Sequence, residues 1–276
     1  FELGDLWPAS IAAVGAMKKS LALSLVEKLE LFLYRRSTRI AALTTSFKAN
    51  LVERGIDKSK IAVVINGVDL ARYTPRTRDQ GLAKKWGLKG KFVVGYIGTH
   101  GMAHALGNVL NAAERMQTND TARFLLTGAG AERDALMEDA ERRGLNNVIF
   151  MPRQPKEMMP AIWSLCDVAL VHLKDSPVFA GVIPSKIFEA QAMGLPILLA
   201  APKGEASRIV LNDKAGLHIA AEDPDALADS VNNLAADKSA LETFGAAALK
   251  AASGHSRETQ AREMLDVLQK AMGEWP

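Results

Sequence analysis

From residue 92 onward, apolar positions fall into short continuous runs separated by longer stretches of helical period. The runs at 92–97, 122–127, 147–151, 168–172, 196–200 and 217–220 read as strands, several of them bounded by glycine or proline. The stretches between them predict helices over 102–118, 131–143, 156–165, 185–193, 204–212 and 223–236, and two more helices close the chain at 238–252 and 256–273. Strands alternating with helices predict an α/β fold with a mostly parallel, doubly wound sheet and right-handed crossovers. Such a sheet binds ligands beyond the carboxyl ends of its strands, so candidate chemistry is sought in the loops that leave them.

The N-terminal part is less regular. A helix is predicted over 8–36, with Pro8 in its first turn, Leu21, Leu25, Leu29 and Phe32 at helical spacing, and Gly15 as a point where it can break. Lys18, Lys19, Lys28, Arg35 and Arg36 punctuate it. It reads first as an amphipathic helix packed on a core, and second as a surface helix against anionic lipid. Strands follow at 39–43 and 60–65, with a helix over 46–54 that Gly55 terminates. Asn66-Gly67-Val68-Asp69 is a turn signal, and 70–90 reads as a polar linker with a short helix, placing a domain boundary near Lys89.

A length of 276 residues fits two domains at about 150 residues each. The division expected is 1–88, 89–255 and a C-terminal helix over 256–276 that packs back on the first part. Composition is that of a soluble globular protein, which excludes collagen-like, coiled-coil and disordered classes. A net charge of +3 is too small to argue for nucleic acid. The single cysteine, Cys166, excludes a disulfide framework and a multi-cysteine zinc site, and suggests a reducing, cytoplasmic setting. No signal-peptide pattern and no run of about 18 uncharged apolar residues occurs. The chain begins at Phe1 and its first residues read as the middle of a fold, so a preceding segment is expected.

Four strand-end loops carry candidate chemistry. Gly98-Thr99-His100-Gly101 precedes a helix start near Met102, an arrangement that suits phosphate or simply a tight turn. Thr127-Gly128-Ala129-Gly130 is half of a dinucleotide fingerprint, but Arg133 stands where the third glycine belongs, so a tight turn is the better reading. In Pro152-Arg153-Gln154-Pro155, Arg153 is suited to stack on a base, pair with a phosphate or stay solvated. Pro184-Ser185-Lys186 opens a helix in which Glu189 shares a face with Ser185 and Lys186. A lysine and a carboxylate one turn apart fit a nucleoside diphosphate, the ammonium meeting phosphates and the carboxylate a ribose diol. The alternative is a plain Lys186–Glu189 helix pair. Asp223-Pro224-Asp225 reads as a helix cap, Cys166 beside Trp163 as core, and the His100–His104 spacing lacks a third zinc ligand.

YIGTHGMAHALGNVLNAA over 96–113 and FMPRQPKEMMPAIWSLCDVALVHLKDSPVFAGVIPSKIFEAQAMGLPIL over 150–198 resemble family 4 retaining glycosyltransferases. The branch is one similar to bacterial O-antigen and capsule enzymes, including N-acetyl-L-fucosaminyltransferases. Gly4-Asp5-Leu6-Trp7-Pro8 and Val64-Ile65-Asn66-Gly67-Val68-Asp69 resemble its markers too. The resemblance implies a GT-B architecture, in which two Rossmann-like domains face a cleft and the C-terminal one holds the nucleotide-sugar. It implies transfer from a UDP-sugar to a lipid-linked or polysaccharide acceptor, with no cofactor and no divalent metal, in the cytoplasm or at the inner face of its membrane. By the same resemblance Glu189 binds the donor ribose, Lys186 contacts its phosphates and stabilises the departing diphosphate, Gly98, Thr99 and Gly101 lie near those phosphates, and Asp5 lies on the acceptor side.

Departures from the family pattern are specific. The first glutamate that many members carry is Gly181 here, so donor-sugar recognition is expected from backbone near 179–182. The Arg and Lys that often follow the first glycine loop are absent between His100 and Leu106, leaving Lys186 and Arg153 to meet the diphosphate. By the resemblance, an N-terminal half of the acceptor domain is expected before Asp5. The competing readings are a non-catalytic nucleotide-sugar binding module and a nucleotide-sugar epimerase or dinucleotide enzyme on the same kind of sheet.

Overall fold

The computed structural model describes residues 1–6, Ser10, Gly15 and 21–273. Its strands form two parallel sheets. The smaller comprises β1 (Glu2–Leu3), β2 (Ile40–Ala42) and β3 (Ile61–Val63), in the order β1-β2-β3. Helices α1 (Leu21–Arg36) and α2 (Thr45–Glu53) pack on it, and Leu3, Tyr34, Ile40, Phe47, Leu51 and Ile61 form its core. The two-residue β1 is too short to carry a readable period and was not expected from the sequence. α2 begins one residue early because the Thr44 side chain accepts a hydrogen bond from Phe47 N–H at 3.1 Å.

Of the helix predicted over 8–36, residues 21–36 are described. Pro8, Lys18, Lys19 and the side chain of Leu21 lie outside the described residues; Gly15 sits in a turn at φ +80, as the expected break requires. The helix packs on the small core, as expected, but not through the face that the apolar spacing marks. Leu25, Leu29 and Phe32 are 65%, 57% and 55% exposed, whereas Glu30 and Tyr34 are buried. The polar pair can turn inward because its members satisfy each other: Tyr34 Oη donates to Glu30 at 2.6 Å, and Arg54 pairs with the same carboxylate at 2.6 Å.

The larger sheet comprises β4 (Phe92–Ile97), β5 (Ala122–Gly128), β6 (Val148–Pro152), β7 (Val168–His172), β8 (Ile197–Ala200) and β9 (Gly216–Ile219). Its order is β6-β5-β4-β7-β8-β9, all parallel, so the winding reverses between β4 and β7. Neighbouring residues point to opposite faces: Val93, Leu125, Ala169 and Leu199 enter one core, Val94, Leu126, Leu170 and Leu198 the other. The sheet is buried on both sides, which is why its strands read as continuous apolar runs.

The remaining helices are α3 (Gln80–Lys85), α4 (Gly107–Arg115), α5 (Arg133–Arg142), α6 (Met159–Trp163), α7 (Lys186–Ala192), α8 (Glu205–Asn212), α9 (Pro224–Ala236), α10 (Lys238–Ala252) and α11 (Arg257–Gly273). The single helix expected over 102–118 is instead a 3-10 turn at Met102–His104, a left-handed Ala105 at φ +44, and then α4. The left-handed residue is what interrupts it.

Two further contacts join the sheets. α11 runs back to β2. At its start Val68 N–H donates to His255 O and Arg257 N–H to Val68 O, while Gln260 holds Asn66 and Gly67. On the other side, Thr44 Oγ1 donates to Gly181 O at 2.9 Å, and Glu205 accepts from Ser46 N–H and Oγ at 2.7 and 2.6 Å.

Candidate functional site

A cleft of about 890 Å³ opens beyond the carboxyl ends of β4, β5 and β6 and against the start of α7. Gly98, Thr99, Arg153, Ser185, Lys186 and Glu189, singled out in the sequence, all line it. Three others do not. Gly101 precedes the 3-10 turn Met102–His104 and is not among the residues that line the cleft. Asp5 is exposed in the bend after β1. Residues 179–182 are docked against Ser46 and Phe47 instead: a Cβ on Gly181 would lie 3.2 Å from Ser46 Cβ. Little room remains at that position for the glutamate of other family patterns.

The glycines of the two loops permit their close approach. Gly98 N–H donates to Thr127 O, and His100 N–H to Ala129 O. A Cβ on Gly128, at φ +152, would fall 1.8 Å from Gly98 O. The Gly128 loop is therefore more than a turn into α5; it is clamped on the Gly98 loop and shares the cleft wall.

Lys186 is buried, and its Nζ has no hydrogen-bond partner. It sits 3.7 Å over the Tyr96 ring, and a Cβ on Gly98 would lie 2.7 Å from it. Burial lowers its pKa to about 7, with the Glu189 charge opposing the shift. His104, also in the wall, is lowered to about 4 by burial and then by Lys186, and buried His100 is lowered to about 4 by burial, then by Arg133 and Lys186. His104 Nδ1 is spaced 3.2 Å from His172 O, and His172 is itself buried and lowered to about 4. Burial thus disfavours the charged forms of Lys186 and of the histidines around it. Glu189 does not pair with Lys186 as a helix partner. Its Oε2 accepts from Trp163 Nε1 at 3.1 Å, and burial raises its pKa against the opposing pull of Trp163 and Lys186.

The opposite wall comes from residues that no local pattern marked as binding: Asp69, Arg72 and Tyr73 after the Asn66 turn, and Arg257 at the start of α11. The turn signal and the family marker at 64–69 were the available clues. The decoys resolve structurally. Asp223 caps α9 by accepting from Asp225 and Ala226 N–H, Asp225 pairs with Arg115, and Cys166 is buried. Among the described residues no group of three His, Cys, Asp or Glu side chains is arranged to hold a metal ion.

Comparison with known proteins adds three findings. The family model "Glycosyl transferases group 1" matches residues 80–251. A D-inositol 3-phosphate glycosyltransferase of Nocardia farcinica is 30% identical over 247 residues, covering 86% of this chain and 53% of the relative. The probable glycosyltransferase WbjE of Pseudomonas aeruginosa is 28% identical over 235 residues, covering 83% of this chain and 58% of its own length. The chain thus spans little more than half the length of these curated relatives. Among solved structures, Anabaena HepE in complex with UDP and glucose superposes with a TM-score of 0.82 at 20% identity, over 98% of this chain and 70% of that one. That likeness identifies the fold as the one its neighbours share.

Proposed function

Because the chain belongs to the group 1 glycosyltransferases, we propose that it supplies the donor side of a retaining transfer from a nucleoside diphosphate-sugar, UDP-sugar first, to a lipid-linked or polysaccharide acceptor of the cell surface. The observation that carries this reading is the unpartnered Lys186 Nζ on the floor of a cleft whose same helix offers Glu189. The UDP and glucose named with HepE agree with it.

In this reading the bond between the sugar and its diphosphate breaks, leaving positive charge on the sugar and a new negative charge on the diphosphate. Lys186, buried and without a competing carboxylate partner, stabilises that charge in a low-dielectric setting where it acts strongly. Transfer then proceeds without a divalent metal. Glu189 holds the ribose diol and orients the donor rather than moving a proton. Thr99 and the Gly98 backbone flank the phosphates, and Arg153 and Ser185 form the exposed rim. Asp5 belongs to the acceptor side, and residues 1–88, 89–255 and 256–276 form the acceptor-side portion, the donor domain and the returning helix. The exposed Leu25, Leu29 and Phe32 on α1, beside exposed Lys28, Arg35 and Arg36, support contact with an anionic membrane surface.

The test is calorimetric titration with UDP, with and without magnesium, of the wild-type chain and of Lys186→Ala and Glu189→Ala. Binding that is indifferent to magnesium and weakened at least about tenfold by each substitution is expected. Binding that ignores both substitutions removes the donor site from this cleft.

A further inference from the structure

Lys186 and Glu189 lie one helical turn apart, a spacing at which opposite charges ordinarily pair. They do not pair here, and the reason lies in what holds the carboxylate. Trp163, at the end of α6, is fully buried, and its indole N–H donates to Glu189 Oε2 at 3.1 Å. A buried indole N–H needs an acceptor, and this one takes a carboxylate that faces a cleft. Tyr73 lines the same cleft and lies close enough to the carboxylate to lower its pKa, without a formed hydrogen bond between them. Tyr73 is itself buried, and its backbone N–H is tied to Asp69 O at 2.9 Å. Beyond Trp163 and Tyr73, the charged groups acting on Glu189 are Lys186 and Arg257.

We propose that Trp163 and Tyr73 are positioning residues: they hold the Glu189 carboxylate away from Lys186, so that its remaining lone pairs face the donor's ribose hydroxyls while Lys186 stays free for the diphosphate. This rests on the reading of Glu189 as the ribose ligand. A carboxylate offers about four lone-pair sites, so the indole donor, even with the Tyr73 hydroxyl turned toward it, leaves capacity for a diol. Without them the carboxylate swings along the helix to Lys186, and both groups lose their task together. Tyr73 belongs to the segment that follows the small sheet, so ribose recognition draws on both parts of the chain.

The experiment is titration of the full chain with UDP and with 2′,3′-dideoxy-UDP. The variants are Trp163→Phe, Tyr73→Phe and Glu189→Ala, each checked by circular dichroism and thermal melting. Wild type should prefer UDP over the dideoxy compound by about tenfold or more. Trp163→Phe and Tyr73→Phe should lose most of that preference, weakening UDP by more than the dideoxy compound, whose own smaller loss reports Lys186 drawn off the diphosphate. Equal weakening toward both ligands, or an undiminished preference, overturns the positioning role. Tyr73→Phe, which removes one oxygen, decides the matter if Trp163→Phe does not fold. Should Glu189→Ala retain the full ribose preference, the ribose reading itself fails and takes this inference with it. Should Glu189→Ala lose the preference while both other variants keep it, only the positioning role fails.

Discussion

The fold moves the protonation of Lys186 into the neutral pH range. Burial brings its pKa from an ordinary 10.5 to about 7. Between those values the unfolded chain holds a proton that the folded chain lacks, so stability rises with pH across that window and the full penalty is present below it. Lys186→Met should therefore melt higher than wild type at pH 7, and the advantage should vanish as pH passes about 10.5. Entry of a diphosphate reverses the bias. UDP binding at pH 8 should take up a proton, which calorimetry in buffers of different ionisation enthalpy reads directly; an enthalpy independent of buffer would show that Lys186 is already charged. Gly98 is the matching steric constraint. A Cβ there would crowd the Lys186 ammonium at 2.7 Å from a backbone held at φ +152. Gly98→Ala should fold yet bind UDP on the order of tenfold more weakly, because the lysine is pushed from its place.

At the scale of elements, the large sheet was legible because strands buried on both faces leave unbroken apolar runs; β4, β7 and α10 begin and end where the sequence places them. The loops at the ends of β4, β5 and β6 were legible for the same topological reason. What stayed hidden has physical causes. Ala105 carries no mark that it adopts φ +44, so the break before α4 was invisible. Tyr73 and Arg257 meet in the cleft only through the pairing of Val68 with Ser256, a contact too distant in sequence for any local period to report. Trp163 reads as core and its body is core; only its N–H end belongs to the site. For α1 the apolar spacing was legible but its direction was not, since spacing alone does not say which side faces inward. Its outward Leu25, Leu29 and Phe32 yield a direct expectation. The wild-type chain should float with anionic vesicles, and replacing all three by serine should abolish flotation while shifting the melting temperature little. Wild type remaining in solution would end the membrane reading.

Across the whole molecule, the contact opposite α11 joins the sheets through the Glu205 carboxylate as well as the Thr44–Gly181 hydrogen bond. Burial alone would raise the pKa of Glu205, but the Ser46 hydroxyl and N–H, together with Arg208, outweigh it and hold the group below its ordinary value. The stability it gives is present above the unfolded carboxylate pKa of 4.5 and is lost as pH falls through the lower folded value. Glu205→Ala, which leaves the first turn of α2 without its acceptor, should cost about 1–3 kcal/mol in chemical denaturation at pH 7. That cost should shrink toward zero in acid; a cost unchanged at low pH would mean that packing rather than charge holds the contact.

The chain passes between its two sheets at one place, where the outgoing segment at Val68 lies beside the returning segment at Ser256. The same pair of threads carries Arg72, Tyr73 and Arg257 into the cleft. An axle placed there would also be a jaw: turning one sheet against the other would move that wall of the cleft. By reciprocity, whatever free energy a ligand gains from a particular setting of that wall it returns as a bias on the angle between the sheets. Occupancy and posture then become two readings of one quantity, and a probe of the angle, such as a dye pair across the sheets, would titrate the ligand without touching it.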